Sequence, residues 1–154
     1  MLKWKKNDKY CTPPDTLRKL ELDLGIQFNG FDPCPINRDD LGGFDGLECT
    51  WGDRGDWVFV NPPFSMTREF VHKAFREKAR GLNVCMLIPA RMENKTWQGL
   101  IIPQASQIRI IPAGYRFRDA CGNDTLRKAP QTLAIVLISH TSYKPNLTTW
   151  DWKF

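Results

Sequence analysis

The sequence predicts an α/β sandwich, in which a sheet is covered by helices on both faces. Short apolar runs of strand length alternate with segments whose apolar residues recur at helical spacing, and no internal repeat or low-complexity tract interrupts this order. No apolar run is long enough to span a bilayer. The chain has 154 residues, 42% of them hydrophobic, so we predict a single domain over residues 1–154.

The first predicted helix follows the segment Tyr10-Cys11-Thr12-Pro13-Pro14. Thr12 is a suitable N-cap, and the fixed φ of Pro13 suits the first helical position. Gly25 is expected to end the helix. Its apolar face consists of three residues at helical spacing, Leu17, Leu20 and Leu24. Residues 28–32, which follow, form a short candidate strand.

A strand predicted over residues 56–60 runs directly into Asn61-Pro62-Pro63-Phe64, called the NPPF loop below. Ser65 is expected to cap the next helix, and Gly81 is expected to end it. The buried stripe of that helix is predicted to consist of Met66, Phe70, Val71, Ala74 and Phe75.

The remaining elements alternate in the same way. Residues 84–88 read as a fully buried strand, and a short helix over residues 96–102 is expected to end at Pro103. Strands over residues 107–111 and 133–138 have no helix between them, so we predict that they pair as a C-terminal antiparallel hairpin at or near one edge of the sheet. Trp150 and Trp152 are expected to close the end of the core.

Composition excludes several classes of protein. The first nine residues are polar and lack the apolar stretch of a secretory signal. The five cysteines form an odd set without close pairs, which favours a reducing cytoplasm over a disulfide framework. The chain has no CxxC motif and only two histidines, so we predict no metal site. A membrane protein, a disulfide-rich module and a zinc finger are therefore all excluded.

The net charge of +5 is distributed unevenly along the chain. Residues 1–63 carry 8 Lys and Arg against 11 Asp and Glu, whereas residues 64–154 carry 14 against 6. The basic part suits a polyanion, and the acidic part suits a cationic small ligand. We predict phosphate contacts for four basic residues in the polar stretch before the last strand, Arg116, Arg118, Arg127 and Lys128.

The NPPF loop is predicted to hold a planar group that carries an exocyclic amine. Two successive prolines stiffen the loop and leave carbonyl oxygens as acceptors. The side-chain oxygen of Asn61 is a further acceptor, and Phe64 offers a flat ring for stacking. In an adenine bound there, acceptance of both N6 hydrogens by Asn61 and Pro62 would localise the nitrogen lone pair and orient it toward an electrophile.

At these residues the sequence resembles the phage-type, Dam-like family of DNA N6-adenine methyltransferases. Asn-Pro-Pro-aromatic after an apolar strand is similar to the catalytic motif of amino-methyltransferases that use S-adenosylmethionine. Tyr10-Cys11-Thr12-Pro13-Pro14, Phe31-Asp32-Pro33-Cys34 and Asp45-Gly46-Leu47 resemble further motifs of the family, in the same order. Pro89-Ala90-Arg91 and Tyr115-Arg116-Phe117 also match its pattern.

This resemblance implies a Rossmann-like class I methyltransferase sandwich and assigns roles to individual residues. The four residues of the NPPF loop, Asn61, Pro62, Pro63 and Phe64, would carry catalysis and bind the target base. S-Adenosylmethionine would be bound by seven residues, Tyr10, Thr12, Pro13, Asp32, Cys34, Asp45 and Leu47. Only 28 residues lie between Asp32 and Asn61, so the part of the fold that binds the cofactor is expected to be abbreviated.

Three interpretations of function remain open at this stage. The first is an S-adenosylmethionine-dependent DNA adenine-N6 methyltransferase, phage-encoded and acting in the host cytoplasm as a monomer or homodimer, without a separate target-recognition domain. The second keeps the loop but changes the substrate to adenine in RNA or a glutamine amide in a protein. The third is a non-catalytic nucleic-acid-binding module or methyltransferase subunit.

Overall fold

The computed structural model describes residues 10–35, 45–118, 126–140 and 146–153. Its elements, in chain order, are α1 (Pro14–Leu24), β1 (Trp57–Val60), a 3-10 turn (Phe64–Met66), α2 (Thr67–Ala79), β2 (Asn83–Pro89), a π-helical segment (Trp97–Ile101), α3 (Ile102–Gln104), β3 (Gln107–Ile110), β4 (Arg116–Arg118), β5 (Leu126–Lys128), β6 (Leu133–Ile138) and β7 (Asn146–Thr149). The predicted α/β class is confirmed. Over the described residues, every helix is too short and too polar to cross a membrane.

Five strands form a mixed sheet in the order β1-β2-β6-β3-β7. β1 and β2 are parallel, β6 runs antiparallel to its neighbours β2 and β3, and β7 is parallel to β3. The predicted antiparallel pairing of β3 with β6 is therefore confirmed. The prediction that they form a hairpin near one edge is wrong, because β4 and β5 lie between them in the chain and β6 is the central strand of the sheet. The carboxyl ends of the four strands that share one direction meet at one edge of the sheet, called the carboxyl edge below, and the opposite edge is called the amino edge.

Both faces of the sheet are covered, as predicted. All residues of β2 and β6 are buried, and successive side chains of a strand point to opposite faces. On one face, Met86 packs in a cluster with Phe70 and Val71 of α2. On the other face, Leu87 packs in a cluster with Leu20 of α1, and Trp150 is buried there as well. The two helices therefore lie on opposite sides of the sheet.

The predicted caps of α1 and α2 are wrong. Pro13 takes an extended conformation (ψ 140°) and is the N-cap of α1, because the residue before a proline is pushed out of the helical region and Pro14 follows it. Thr12 makes no capping hydrogen bond. Ser65 lies inside the 3-10 turn that precedes α2, and it is Met66 that occupies the N-cap position. The predicted end of α1 is confirmed, since Gly25 takes a left-handed conformation (φ 64°).

The third helical region continues past the proline that was expected to end it. Ile102 donates its backbone N–H to the carbonyl of Trp97, five residues back, which widens the helix into a π-helical turn. Pro103 then stands in the first turn of α3, where its missing N–H leaves no donor unsatisfied. The helical path closes where Ala105 N donates to Ile101 O at 2.8 Å.

Two other regions differ from the sequence prediction. Residues 28–32 make a single parallel bridge, Phe28 to Trp57, rather than a strand. The polar stretch before β6 contains a second, two-stranded sheet of β4 and β5, and β7 adds an unpredicted edge strand beside β3. These three short strands lack the apolar runs by which β2 and β6 were recognised.

Candidate active site

The NPPF loop follows β1 directly and therefore lies at the carboxyl edge, where open α/β sheets bind their ligands. Pro62 and Pro63 are buried, and Asn61 and Phe64 are half-buried. Asn61 Nδ2 donates a hydrogen bond of 3.1 Å to the backbone carbonyl of Tyr10. Asn61 Oδ1 is buried, and no described residue donates to it. Since the amide nitrogen is held by Tyr10, the orientation that leaves the oxygen available is fixed.

The two proline carbonyl oxygens of the loop differ in whether a backbone N–H donates to them. Pro63 O accepts a hydrogen bond of 2.8 Å from Met66 N, which closes the 3-10 turn. No backbone N–H of the described residues donates to Pro62 O. Among the described residues, Asn61 Oδ1 has no donor and Pro62 O has no backbone donor.

Aromatic rings surround Phe64. Its ring stacks on that of Tyr10, with centroids 5.0 Å apart and an interplanar angle of 19°. Phe117 of β4 contacts both rings, at 5.1 Å from Tyr10 and 6.1 Å from Phe64. Tyr115 in turn meets Phe117 edge to face at 5.1 Å. Phe117 was not predicted as a site residue, although the alternation of aromatic and arginine residues over 115–118 is the signal of a half-buried strand.

The segment that carries Tyr10 is held between the NPPF loop and the β4–β5 hairpin. Cys11 pairs with Arg118 of β4 through two backbone hydrogen bonds, of 3.2 and 3.0 Å. Thr16 at the start of α1 shares a buried hydrogen bond of 3.0 Å with Tyr115 OH. Burial raises the pKa of Tyr115, so this hydroxyl stays protonated at neutral pH. Thr12 Oγ1 is buried in the same segment, and no described residue bonds to it.

The predicted acidic cofactor residues lie on two turns that contact each other. Asp32 Oδ1 accepts from Cys34 N at 2.8 Å, and Asp45 Oδ1 accepts from Leu47 N at 2.8 Å. A Cβ atom at Gly46 would lie 2.0 Å from Pro33 O, so only glycine allows the turns to pack this closely.

Cys34 lies between these two carboxylates. Its burial, together with the nearby charges of Asp32 and Asp45, raises the pKa of its thiol well above the usual range. The thiol is therefore neutral and contributes packing rather than nucleophilic chemistry. Its role as a cofactor contact stays a prediction, as does that of Pro13.

A buried ion cluster fixes the second of these turns to α2. Glu77 is fully buried and accepts from Lys73 Nζ at 2.5 Å and from Arg80 at 2.8 Å. Its second carboxylate oxygen also accepts from Trp51 N at 3.2 Å, and Trp51 Nε1 donates to Gly46 O at 2.7 Å. The predicted buried stripe of α2 contained only apolar residues, so it did not include the buried Glu77 that joins α2 to this turn.

The aromatic and acidic parts of the site lie on opposite faces of the sheet. Phe64 and Tyr10 pack against the cluster on the α1 side, whereas Phe31 and Leu47 pack against the cluster on the α2 side. Asn61 lies at the end of the strand between them. The NPPF loop therefore separates an aromatic compartment from an acidic one.

Three of the predicted phosphate contacts share one face of the β4–β5 hairpin. Arg116 pairs directly with Lys128, and Arg118 lies two residues further along β4, so all three point away from the buried Phe117. Arg127 is opposite Phe117 in the register, and its side chain lies outside the description. The hairpin thus presents positive charge on one side and the aromatic compartment on the other.

A comparison with protein families assigns the chain. The family model described as DNA N-6-adenine-methyltransferase (Dam) matches residues 43–149. The chain belongs to the Dam family. This membership supports DNA methyltransferase activity toward adenine N6, and DNA as the substrate. No curated protein matches the chain significantly.

The Dam match includes the NPPF loop, Asp45, Leu47 and the β4–β5 hairpin. Tyr10, Thr12, Pro13, Asp32 and Cys34 lie before its first matched residue, so their assignment rests on the resemblance of their motifs and on their positions in the structure. Within the described residues, no cluster of His, Cys, Asp or Glu could hold a metal ion.

Proposed function

We propose that the protein transfers a methyl group from S-adenosylmethionine to the N6 amine of adenine in DNA, at the NPPF loop. The observation that carries this proposal is the buried Asn61 Oδ1, which accepts no hydrogen bond from the described residues. An unsatisfied buried acceptor costs about 1–3 kcal/mol. A hydrogen-bond donor supplied by the substrate would offset this cost.

Asn61 Oδ1 and Pro62 O would together accept the two hydrogens of the N6 amine. In free adenine the nitrogen lone pair is delocalised into the ring, which makes the amine a poor nucleophile. Two acceptors favour the tetrahedral nitrogen of the transition state over the planar nitrogen of the ground state. The bond from Asn61 Nδ2 to Tyr10 O, at 3.1 Å, holds the acceptor in place before substrate binds.

The stack of Tyr10 on Phe64 offers the position for the adenine ring. The two centroids are 5.0 Å apart, and a base between them needs a separation of about 7 Å, two aromatic contact distances. We infer that the rings part by about 2 Å to admit the base, with Phe117 meeting its edge. Tyr10 is then a contact of the target base rather than of the cofactor.

The residues around Asn61 fit S-adenosylmethionine. Thr12 Oγ1 is a buried hydroxyl without a bonding partner among the described residues, and it lies two residues from the Tyr10 carbonyl that holds Asn61. Asp32 and Asp45 supply negative charge for a cationic ligand. When bound, the cofactor supplies an electrophilic methyl group on a sulfonium. The single antiparallel strand in an otherwise parallel sheet supports assigning the fold to the abbreviated Rossmann-like class I methyltransferases.

The β4–β5 hairpin would hold the DNA backbone beside the aromatic compartment. Arg116, Arg118 and Lys128 face away from Phe117, so phosphates bound to them lie across the hairpin from the proposed base position. Adenine in a duplex must leave the stack to reach Phe64. The hairpin joins Tyr10 through the Cys11–Arg118 backbone pair, which links the phosphate contacts to the base position.

The test is transfer of labelled methyl from S-adenosylmethionine to single-stranded DNA, duplex DNA, RNA and protein in parallel, with site mapping of the product. We expect adenine N6 in DNA to be labelled. Asn61→Ala should lower the rate by about 10²-fold or more, because one acceptor of the transition state is lost. Asn61→Asp keeps an oxygen at that position and should retain more activity than Asn61→Ala. Equal activity of Asn61→Ala and the wild type would refute the mechanism.

The other interpretations give different outcomes in the same assay. Label in RNA or in a glutamine side chain, with none in DNA, would replace the substrate but keep the loop chemistry. A non-catalytic module would label none of the four acceptors and would show no binding of S-adenosylmethionine by calorimetry.

A further inference from the structure

A basic cavity lies at the amino edge, away from the NPPF loop. It has a volume of about 480 Å³, is open to solvent, and is lined by Arg54, Phe75, Lys78, Gly81, Gln104 and His140. Gly81 and His140 flank the ends of β2 and β6 that pair at Val84 and Ile138. β2 has 7 residues, so this cavity is separated from the carboxyl edge by about 20 Å.

Packing holds two of its cations in place. The Arg54 side chain crosses Gly81 so closely that a Cβ atom at that glycine would lie 2.7 Å from Arg54 Cγ. Gly81 also has φ 98°, a conformation that favours glycine. The Lys78 ammonium lies 5.8 Å from the ring centroid of Phe75, within the range of a cation–π contact. Both side chains are therefore partly ordered before any ligand binds.

The ring of His140, which also lines the cavity, is held in place by Asn83. Asn83 Oδ1 accepts from the backbone N–H of His140 at 3.2 Å and lies 2.9 Å from its ring Nδ1. Because an amide oxygen only accepts, the hydrogen of the neutral ring belongs on Nδ1. Nε2 is then a hydrogen-bond acceptor, so the ring of this tautomer lines the cavity without donating to a phosphate oxygen.

Among the described residues, none that lines this cavity carries a carboxylate. The nearest acidic side chains in sequence are that of Glu77, next to Lys78, and those of the turn that contains Arg54. Glu77 is fully buried and paired with Lys73 and Arg80. Asp56 Oδ2 accepts from Asp53 N at 3.0 Å and from Asn29 Nδ2 at 3.3 Å, so it is engaged within its own turn. Asp53 is exposed in that turn.

We propose that this cavity binds a phosphate group. Arg54 and Lys78 would supply charge-assisted hydrogen bonds to the phosphate oxygens. The group belongs either to a free phosphate or nucleotide or to the backbone of a nucleic acid, and the recognition chemistry is the same for both. The site is independent of the proposed methyl transfer, because it involves neither the NPPF loop nor the residues around it.

The test is a titration with inorganic phosphate at constant ionic strength, followed through the amide signals of Gly81 and His140 by heteronuclear NMR. We expect saturable shifts at these positions. Arg54→Ala and Lys78→Gln should each weaken the apparent affinity by about tenfold, as expected for loss of one charge-assisted bond. Arg76→Ala removes an exposed cation of the same helix that does not line the cavity, and it should leave the affinity unchanged.

Two further titrations, with a mononucleotide and with a short DNA duplex, identify the source of the phosphate. Shifts of Gly81 that saturate at lower concentration with the duplex assign the cavity to nucleic-acid backbone, and tighter binding of the mononucleotide assigns it to a free ligand. Shifts that grow linearly without saturation, or equal affinities in the wild type and both cavity variants, would overturn the proposal. The assay requires no methyl transfer, so it can fail or succeed independently of the proposed function.

Discussion

Two asparagines at opposite ends of neighbouring strands are satisfied to very different degrees. Asn83 begins β2 at the amino edge, and its Oδ1 accepts from Ser139 Oγ at 2.7 Å as well as from His140. Its Nδ2 donates to Gly55 O at 3.2 Å. Asn61 follows β1 at the carboxyl edge, where its Nδ2 is bound to Tyr10 and its buried Oδ1 accepts from no described residue.

The difference separates a structural amide from one held ready for a ligand. At Asn83 every polar atom contributes to joining β2, β6 and the turn before β1. At Asn61 the hydrogen bond that Nδ2 donates to Tyr10 O positions the Oδ1 atom. Identical side chains at the ends of two paired strands can therefore serve stability at one edge and, in the proposed function, chemistry at the other.

The largest expected effects come from exchanging each asparagine for alanine and measuring both methyl transfer and unfolding. Asn61→Ala should reduce methyl transfer by about 10²-fold or more. It should change the free energy of unfolding by no more than about 1 kcal/mol, because loss of the hydrogen bond to Tyr10 O is offset by removal of an unsatisfied buried acceptor. Asn83→Ala should lower the free energy of unfolding by about 2–4 kcal/mol, because several buried partners lose their hydrogen bonds. Its methyl transfer at a temperature where it is folded should stay within about threefold of the wild type.

Denaturant unfolding and methyl transfer on the same preparations check this pair. The comparison fails if Asn83→Ala loses more activity than Asn61→Ala, or if Asn61→Ala is the less stable of the two.

The aromatic compartment allows a second test at the carboxyl edge. Phe64→Ala removes a stacking surface worth about 1–3 kcal/mol and should lower kcat/KM for DNA by about tenfold to a hundredfold. Phe64→Tyr keeps the ring face and should stay within about threefold. Steady-state kinetics of both variants provides the measurement. Equal kcat/KM values for the alanine and tyrosine variants would show that the ring of Phe64 does not contact the base.

A smaller effect is expected at the hairpin. Lys128 is exposed, and Lys128→Ala should lower DNA affinity to a similar extent for every sequence and reduce the slope of log affinity against log salt by about 0.9, as for one lost phosphate contact. Arg76→Ala, which removes an exposed charge near the end of α2, is the control and should not alter the slope. Fluorescence anisotropy at several salt concentrations measures it, and an unchanged slope for Lys128→Ala would argue against this contact.

The smallest effect concerns stability alone. Burial acts to raise the pKa of Asp23, but hydrogen bonds from Lys19 and from Trp150 Nε1, at 2.6 Å, lower it overall. A lowered pKa in the folded state stabilises the protein above the unfolded pKa of about 3.9, and this stabilisation is lost as the pH falls through the folded value.

Asp23→Asn should therefore reduce the loss of unfolding free energy between about pH 5 and about pH 2 by less than about 1 kcal/mol, without changing methyl transfer. Urea unfolding across this pH range measures the difference. A steeper loss in the variant than in the wild type would contradict the sign of the pKa shift.

Sequence patterns predicted the parts of the fold that rest on apolar runs. β2 and β6 lie where they were expected, because their apolar residues form uninterrupted stretches. The NPPF loop lies where it was expected because it directly follows the apolar strand β1. β4, β5 and β7 were missed because they are short and polar. The prediction of Thr12 as a cap is wrong because Pro14 restricts Pro13 to an extended conformation, which places the N-cap at Pro13.

The sequence motif led to a hypothesis for the chemistry of the NPPF loop, but it did not indicate which residues pack around the loop. The contact of Phe117 with Phe64 joins residues 53 positions apart in sequence, and no local spacing encodes it. The burial of Glu77 and Lys73 could not be predicted either, because a buried ion pair has the same sequence as an exposed one. The single-domain organisation, the oligomeric state and the cytoplasmic location stay predictions.

The position of β6 in the sheet affects how the protein folds during its synthesis on the ribosome. This strand lies between β2 and β3, yet it is made after both of them. Until residues 133–138 have emerged, β2 lacks one neighbour and β3 lacks both, since β7 is made later still. The nascent chain therefore carries three unpaired strand edges, one on β2 and two on β3, that favour association with other chains. A messenger truncated before β6 would yield a product prone to aggregate.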